Sequence, residues 1–151
     1  MKPTNSSQAF DLFEQETAHA ERQAAWRTSS ALLAALTMLN FVLVPVIDAR
    51  IDNSFVLTNG INLLLAFGLW NLWAWARYLT LLRVLLGIGL AIVVAAQSGA
   101  VLDTMIGLLI MGSIGLPILG PPHRAKNALA AALFLLALVG TGLALLSELI
   151  S

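Results

Sequence analysis

The chain has 151 residues, 59% of them hydrophobic and 11% charged, with a formal net charge of zero and a mean hydropathy of +0.88. Soluble domains carry about 25% charged residues, so this composition excludes an ordinary soluble fold. The balanced charge lacks the basic excess of a nucleic-acid binder, and the absence of cysteine removes disulfides, thiolate metal sites and thiol nucleophiles.

Residues 1–27 are mostly polar and carry the acids Asp11, Glu14, Glu16 and Glu21. They predict a cytoplasmic or interfacial N-terminal helix, capped by Asn5 or Ser6, with the acids in its early turns where the macrodipole favours them. Phe10, Phe13 and Thr17 fall near one face, with Ala9 and Leu12 alongside. That face suits either docking on a membrane surface or partner, or a solubilising leader. A cleavable signal peptide has its basic region directly before the apolar run. Here about 27 mostly polar residues with four acids come first, so the first apolar run is expected to stay as an anchor.

Residues 28–151 predict a transmembrane bundle. The apolar blocks give spans at 28–47, 59–76, 79–98, 101–119 and 125–149. At 1.5 Å per residue each reaches about 27–37 Å, enough for a hydrocarbon core of about 30 Å. The expected fold class is therefore all-α, a polytopic helical bundle of five spans with an N-terminal extramembrane helix. The polar residues 48–54, the Gln97-Ser-Gly turn and the Gly120-Pro-Pro-His-Arg connection separate the spans. The boundary at 73–78 holds no Gly or Pro. Its alternative, one helix over 59–98, is about twice as long as the core and buries Arg77 and Arg83 in lipid. The hairpin is preferred. Pro45 and Pro117 are expected to kink or end their helices. No internal repeat is visible, and five spans do not divide into inverted halves.

Orientation follows from the basic residues. With the N-terminus inside, Lys2, Arg22, Arg27, Arg77, Arg83, Arg124 and Lys126 share the inner side, and Arg50 alone falls outside. Trp26, Trp70, Trp73 and Trp75 sit at the inner helix ends, where amphipathic rings prefer to lie.

Residues 68–80, Gly-Leu-Trp-Asn-Leu-Trp-Ala-Trp-Ala-Arg-Tyr-Leu-Thr, resemble the helix–Trp-Ala-Arg–helix hairpin of small, uncharacterised polytopic membrane proteins of bacteria. The resemblance covers about a quarter of the chain and implies a bacterial cytoplasmic (inner) membrane. It carries no activity and no functional residue.

The strongest pattern concerns packing. Gly87, Ala91, Ala95 and Gly99 recur every four residues and form a small-xxx-small stripe. The stripe serves either a homo-oligomer or partner interface or packing within the chain. Asp103, one turn into its helix, is either an intramembrane cation or proton site or an acid stabilised by the helix dipole. Asn40, Asn62 and Asn71 are costly in lipid unless paired. They act as packing glue, or Asn40, Asn71 and Asp103 line a polar path. Glu148 reads as a terminal interfacial residue. His19 and His123 lie in separate segments, and no cluster has metal-ligand spacing. No Ser/His/Asp grouping, P-loop or dinucleotide fingerprint appears. The expectation is a non-enzymatic membrane protein without cofactors. Its partners are membrane lipids and a homo-oligomer or larger membrane complex, not nucleic acid. It would act as an accessory or assembly subunit or as an oligomeric scaffold; the alternative is a small oligomeric channel or transporter.

Overall fold

The computed structural model describes residues 6–46, 53–99 and 101–150. Among them the chain is all-helical, with five α-helices: α1 Ser6–Val46, α2 Asn53–Trp70, α3 Ala74–Ser98, α4 Val101–Gly115 and α5 Arg124–Ile150. A 3-10 turn, Leu116–Ile118, follows α4. Lys2, Asn5 and the connection carrying Asp48 and Arg50 lie outside the described residues.

The first helix departs from expectation. An extramembrane helix and a separate first span were foreseen, with a boundary near residue 27, yet α1 runs unbroken for 41 residues. The reason is local: neither glycine nor proline occurs between Pro3 and Pro45, so nothing interrupts the backbone ladder. Thr17 Oγ1 donates back to the Phe13 and Glu14 carbonyls, which keeps the arm's polar groups on its own helix. Leu12 and Phe13, two residues of the apolar face foreseen on the arm, are exposed.

The middle of α1 is the axis of the bundle. Leu33, 2% exposed, clusters with Leu65 and Ala66 of α2, Val84 of α3 and Ile114 of α4. Two adjacent serines hold α1 to different neighbours. Ser30 Oγ donates to the Ala66 carbonyl of α2 at 2.6 Å, and Ser29 Oγ donates to the Ile114 carbonyl of α4 at 2.7 Å. Small hydroxyl residues allow close helix approach and satisfy their own polarity across the contact.

Burial is inverted relative to a protein in water. The buried set includes Ser29, Ser30, Thr37, Asn59, Asn62, Thr80 and Ser113, whereas Leu85, Leu86, Leu90, Leu135, Val139 and Leu143 are exposed. Water would drive those leucines inward, while a hydrocarbon surround drives the polar groups inward instead. Among the described residues, three helices are long and apolar enough to cross a membrane: α3, α4 with its 3-10 turn, and α5. α1 and α2 are diluted by polar residues, and two of these, Asn40 and Asn59, meet. Asn40 Nδ2 donates to Asn59 Oδ1 at 3.1 Å, and Asn59 Nδ2 donates to the Phe55 carbonyl. Phe41 and Phe55 close the same seam edge-to-face, with ring centroids 5.4 Å apart. A double-mutant cycle on Asn40→Ala and Asn59→Ala is expected to give a coupling of about 0.6 kcal/mol. Strictly additive losses in stability would rule out the pair.

The joint between α2 and α3 is a hairpin, and its turn falls at 71–73, just ahead of the 73–78 segment where it was expected. Trp73 N–H donates to the Gly68 carbonyl and Leu72 N–H to the Leu69 carbonyl, the two bonds of a Schellman motif. The left-handed position, where glycine is usual, is Leu72 with φ 60°. A branched residue there costs about 1–2 kcal/mol, and tertiary packing offsets it. The Leu72 side chain lies against the cluster of Ala25, Trp26 and Ile118. Trp73 stacks edge-to-face on Phe67, with centroids 5.5 Å apart, supplying the hydrophobic contact that accompanies such caps. The turn between α3 and α4 is more ordinary, since Gly99 takes the left-handed conformation with φ 67° and its N–H caps the Ala95 carbonyl.

Candidate functional site

One end of the bundle gathers the charge. Arg27 lies over the Trp70 ring at 5.4 Å, joining α1 to α2 by a cation–π contact. Arg77 Nε donates to the Ile118 carbonyl at 3.2 Å, joining α3 to the 3-10 turn. Lys126 Nζ donates to the Leu119 and Pro121 carbonyls, both at 3.0 Å, and Arg124 lies 4.0 Å from Glu21. These contacts follow from how α4 ends. Pro117 has no N–H, so the Ser113 carbonyl four residues before it loses its helical donor, and the chain turns through Leu116–Ile118, where the Leu119 N–H closes on the Leu116 carbonyl. Cations are favoured where a helix exposes its carbonyl end. Ser29, Arg77 and Lys126 donate to the Ile114, Ile118, Leu119 and Pro121 carbonyls around this end.

A cavity of about 340 Å³ opens at this end. Arg22, Trp26 and Arg77 line it opposite the Pro117, Pro121 and Pro122 rings, which offer no N–H donors. Trp26 is buried against Ala25 and Ile118, whereas Trp70, Trp73 and Trp75 are exposed, so only these three present their rings outward. His123 Nδ1 accepts from the Ala125 N–H and thereby caps α5, and His19 pairs with Gln23 one turn on. Both imidazoles thus have structural partners.

The residues singled out from the sequence do not converge. Asn40 is engaged with Asn59 in the α1–α2 seam. Asn71 Nδ2 donates to the Phe67 carbonyl at the opposite end of α2, exposed at the hairpin. Twelve residues of helix separate Asn59 from Asn71, about 18 Å. Asp103 is exposed in the first turn of α4, at the end of the bundle away from Asn71. No single path within one chain joins the three.

The stripe on α3 divides into two roles. A Cβ on Gly87 would stand 3.0 Å from Met111 Sδ, so that glycine lets α4 approach within the chain. At Gly107, opposite Ala91 on the same antiparallel register, an added Cβ would meet nothing within 4 Å, so the two helices do not approach closely there. Gly99 too has nothing within 4 Å of its Cβ position. Its left-handed backbone calls for glycine, and within the chain it makes no close helix contact.

Two features escaped sequence reasoning. Asn59 was taken as the first residue of a span, although it and Asn40 are equidistant from the middle of the connection between α1 and α2, and that symmetry signals the pair. The second is a groove between α2 and α3, about 450 Å³, lined by Ile61, Leu65, Leu79, Leu82, Leu86 and Leu90 with Arg83 among them. Its only sequence signal was a basic residue two turns inside an apolar helix. No family model, curated protein or solved structure matches the chain.

Proposed function

We propose that the chain is a five-span protein of a bacterial inner membrane that serves, without catalysis, as an accessory or assembly subunit or an oligomeric scaffold, through lateral helix contacts. The inverted burial carries this reading. Leucine and valine side chains cover the outside of α3 and α5, and the buried Ser29, Ser30 and Asn59 make hydrogen bonds from helix to helix. α1 and α2 count as spans because their polar residues turn towards each other and their outer faces carry Met38, Val42, Leu57 and Leu64. The basic, tryptophan-rich end then lies in the cytoplasmic interface, with the N-terminus inside.

Open notches on the outer surface support a lateral role. Gly60 and Gly89 are exposed within their helices, and nothing lies within 4 Å of a Cβ built on either. Small residues unfilled by their own chain let a second helix approach closely. Gly89→Leu is therefore expected to break up a complex isolated in mild detergent while the chain itself stays folded. Ala91→Leu is likewise expected to disturb assembly, and an unchanged oligomeric state with unchanged stability would count against a contact role for the stripe. A reporter fused after Gln97 should read as external. A solute or ion leak through liposomes that disappears in Asp103→Asn would overturn the scaffold reading in favour of a channel.

A further inference from the structure

The groove between α2 and α3 has a feature that packing does not explain. Arg83 lies in the third turn of α3, half-buried, and no hydrogen bond or ion pair reaches it among the described residues. Arg22, Arg27 and Arg124 stand at the bundle end where water solvates them, and Arg77 and Lys126 hold carbonyls. Arg83 has neither outlet. The remaining lining is Ile61, Leu65, Leu79, Leu82, Leu86 and Leu90, with Gly87 and Met111 as the floor. An isolated guanidinium at this depth is unfavourable by several kcal/mol on insertion scales unless it snorkels or finds an anion.

We propose that this groove binds one anionic phospholipid, with its phosphate on Arg83 and an acyl chain lying between α2 and α3. The geometry sets the direction. Side chains on a helix lean towards its N-terminus, so the guanidinium reaches from Arg83 back past Leu79 towards the Trp70–Trp75 end. That end carries the exposed rings of Trp70, Trp75 and Tyr78, which belong at headgroup level. Leu86 and Leu90 lie on the other side of Arg83, deeper in the span, and form an apolar channel for the chain. Gly87 admits Met111 of α4, whose side chain closes the floor. A phosphate supplies two or three acceptor oxygens to a planar fork of donors, the pairing for which arginine is best suited. A zwitterionic lipid offers the same phosphate, but its own ammonium already balances that charge, so only an anionic lipid neutralises the site.

This inference rests on the membrane reading above, and one experiment separates the two. The full chain is reconstituted in nanodiscs of phosphatidylcholine with a minor fraction of phosphatidylglycerol, and bound lipid is counted by native mass spectrometry. The expected result is one retained phosphatidylglycerol per chain. Retention should fall about tenfold or more in Arg83→Gln, the loss of one charge-assisted contact, and partly recover in Arg83→Lys. Leu90→Trp, which fills the groove and keeps the charge, should also expel the lipid. Equal retention of both lipids, or unchanged retention in Arg83→Gln and Leu90→Trp, overturns the proposal. So does a helical partner lost from Arg83→Gln while phosphatidylglycerol stays bound. If the chain fails to insert at all and is extracted by carbonate, the membrane reading itself falls.

Discussion

Gly68→Val is expected to unfold the α2–α3 hairpin. A Cβ on Gly68 would lie 2.7 Å from the Ala76 Cβ, with Trp73 and Trp75 ring atoms at 3.4 Å. Ordinary carbon contacts need about 3.5–4.0 Å, so something must move, and little can. Ala76 is fully buried and stands at the start of α3, directly after the turn whose hydrogen bonds run back to Gly68 and Leu69. Even Gly68→Ala, which gains about 1 kcal/mol of helix propensity, should lose more than that, since overpacking costs about 1–3 kcal/mol. Valine adds two further methyl groups to the same contact and should exceed that range. Leu72→Gly is the useful contrast. It removes left-handed strain but also the packing on Trp26, so a near-neutral result is expected. Stability measured by steric trapping in bicelles would show the difference. If Gly68→Val proved as stable as Leu72→Gly, the close approach of α2 and α3 would be refuted.

The second large effect is expected at Ser29. This side chain is fully buried where α1 meets α4, and its hydroxyl serves the Ile114 carbonyl. Ser29→Ala keeps the approach of the helices and removes one hydrogen bond, for a loss of about 0.5–1.5 kcal/mol. Ser29→Leu forces α1 away from α4 and should cost about 1–3 kcal/mol through overpacking in addition to the lost bond. The order matters more than the size. In a bilayer leucine gains nothing from leaving water, since the surrounding tails are as apolar as its own side chain. A bundle stabilised by Ser29→Leu would mean that the contact is loose and that α1 is not its axis.

Much of the fold was legible because each hairpin closes about its turn. Asn40 and Asn59 are equidistant from positions 49–50, and Gly68 and Ala76 from Leu72. Gly87 with Met111, and Val84 with Gly115, are symmetric about residue 99 to within one position, as Ile106 and Gly140 are about His123. Apolar length and the four connections therefore place most neighbours. Composition did not show the continuity of α1, because the change from polar to apolar residues near Trp26 marks a change of surroundings and not of backbone. Nor does any local rule put a left-handed turn at Leu72, which only its seat against Ala25 and Trp26 holds in place. The donors at the end of α4 were hidden for the same reason. Arg77 and Lys126 looked like inside-positive markers, and their second task depends on where Leu116–Ile118 sends the chain. For the candidate site, the sequence named polar residues singly, whereas the groove around Arg83 exists only once α2, α3 and α4 are side by side.

The unbroken α1 has a mechanical consequence. Its 41 residues measure about 60 Å, and the clasp at Ser29 and Ser30 sits near the middle. Phe13 is about 24 Å to one side of that fulcrum and Asn40 about 16 Å to the other. A push on the exposed arm is thus transmitted as rotation about the clasp, displacing Asn40 in the opposite sense by roughly two-thirds of the distance. The arm is in this sense a handle on the Asn40–Asn59 seam at the far end of the bundle.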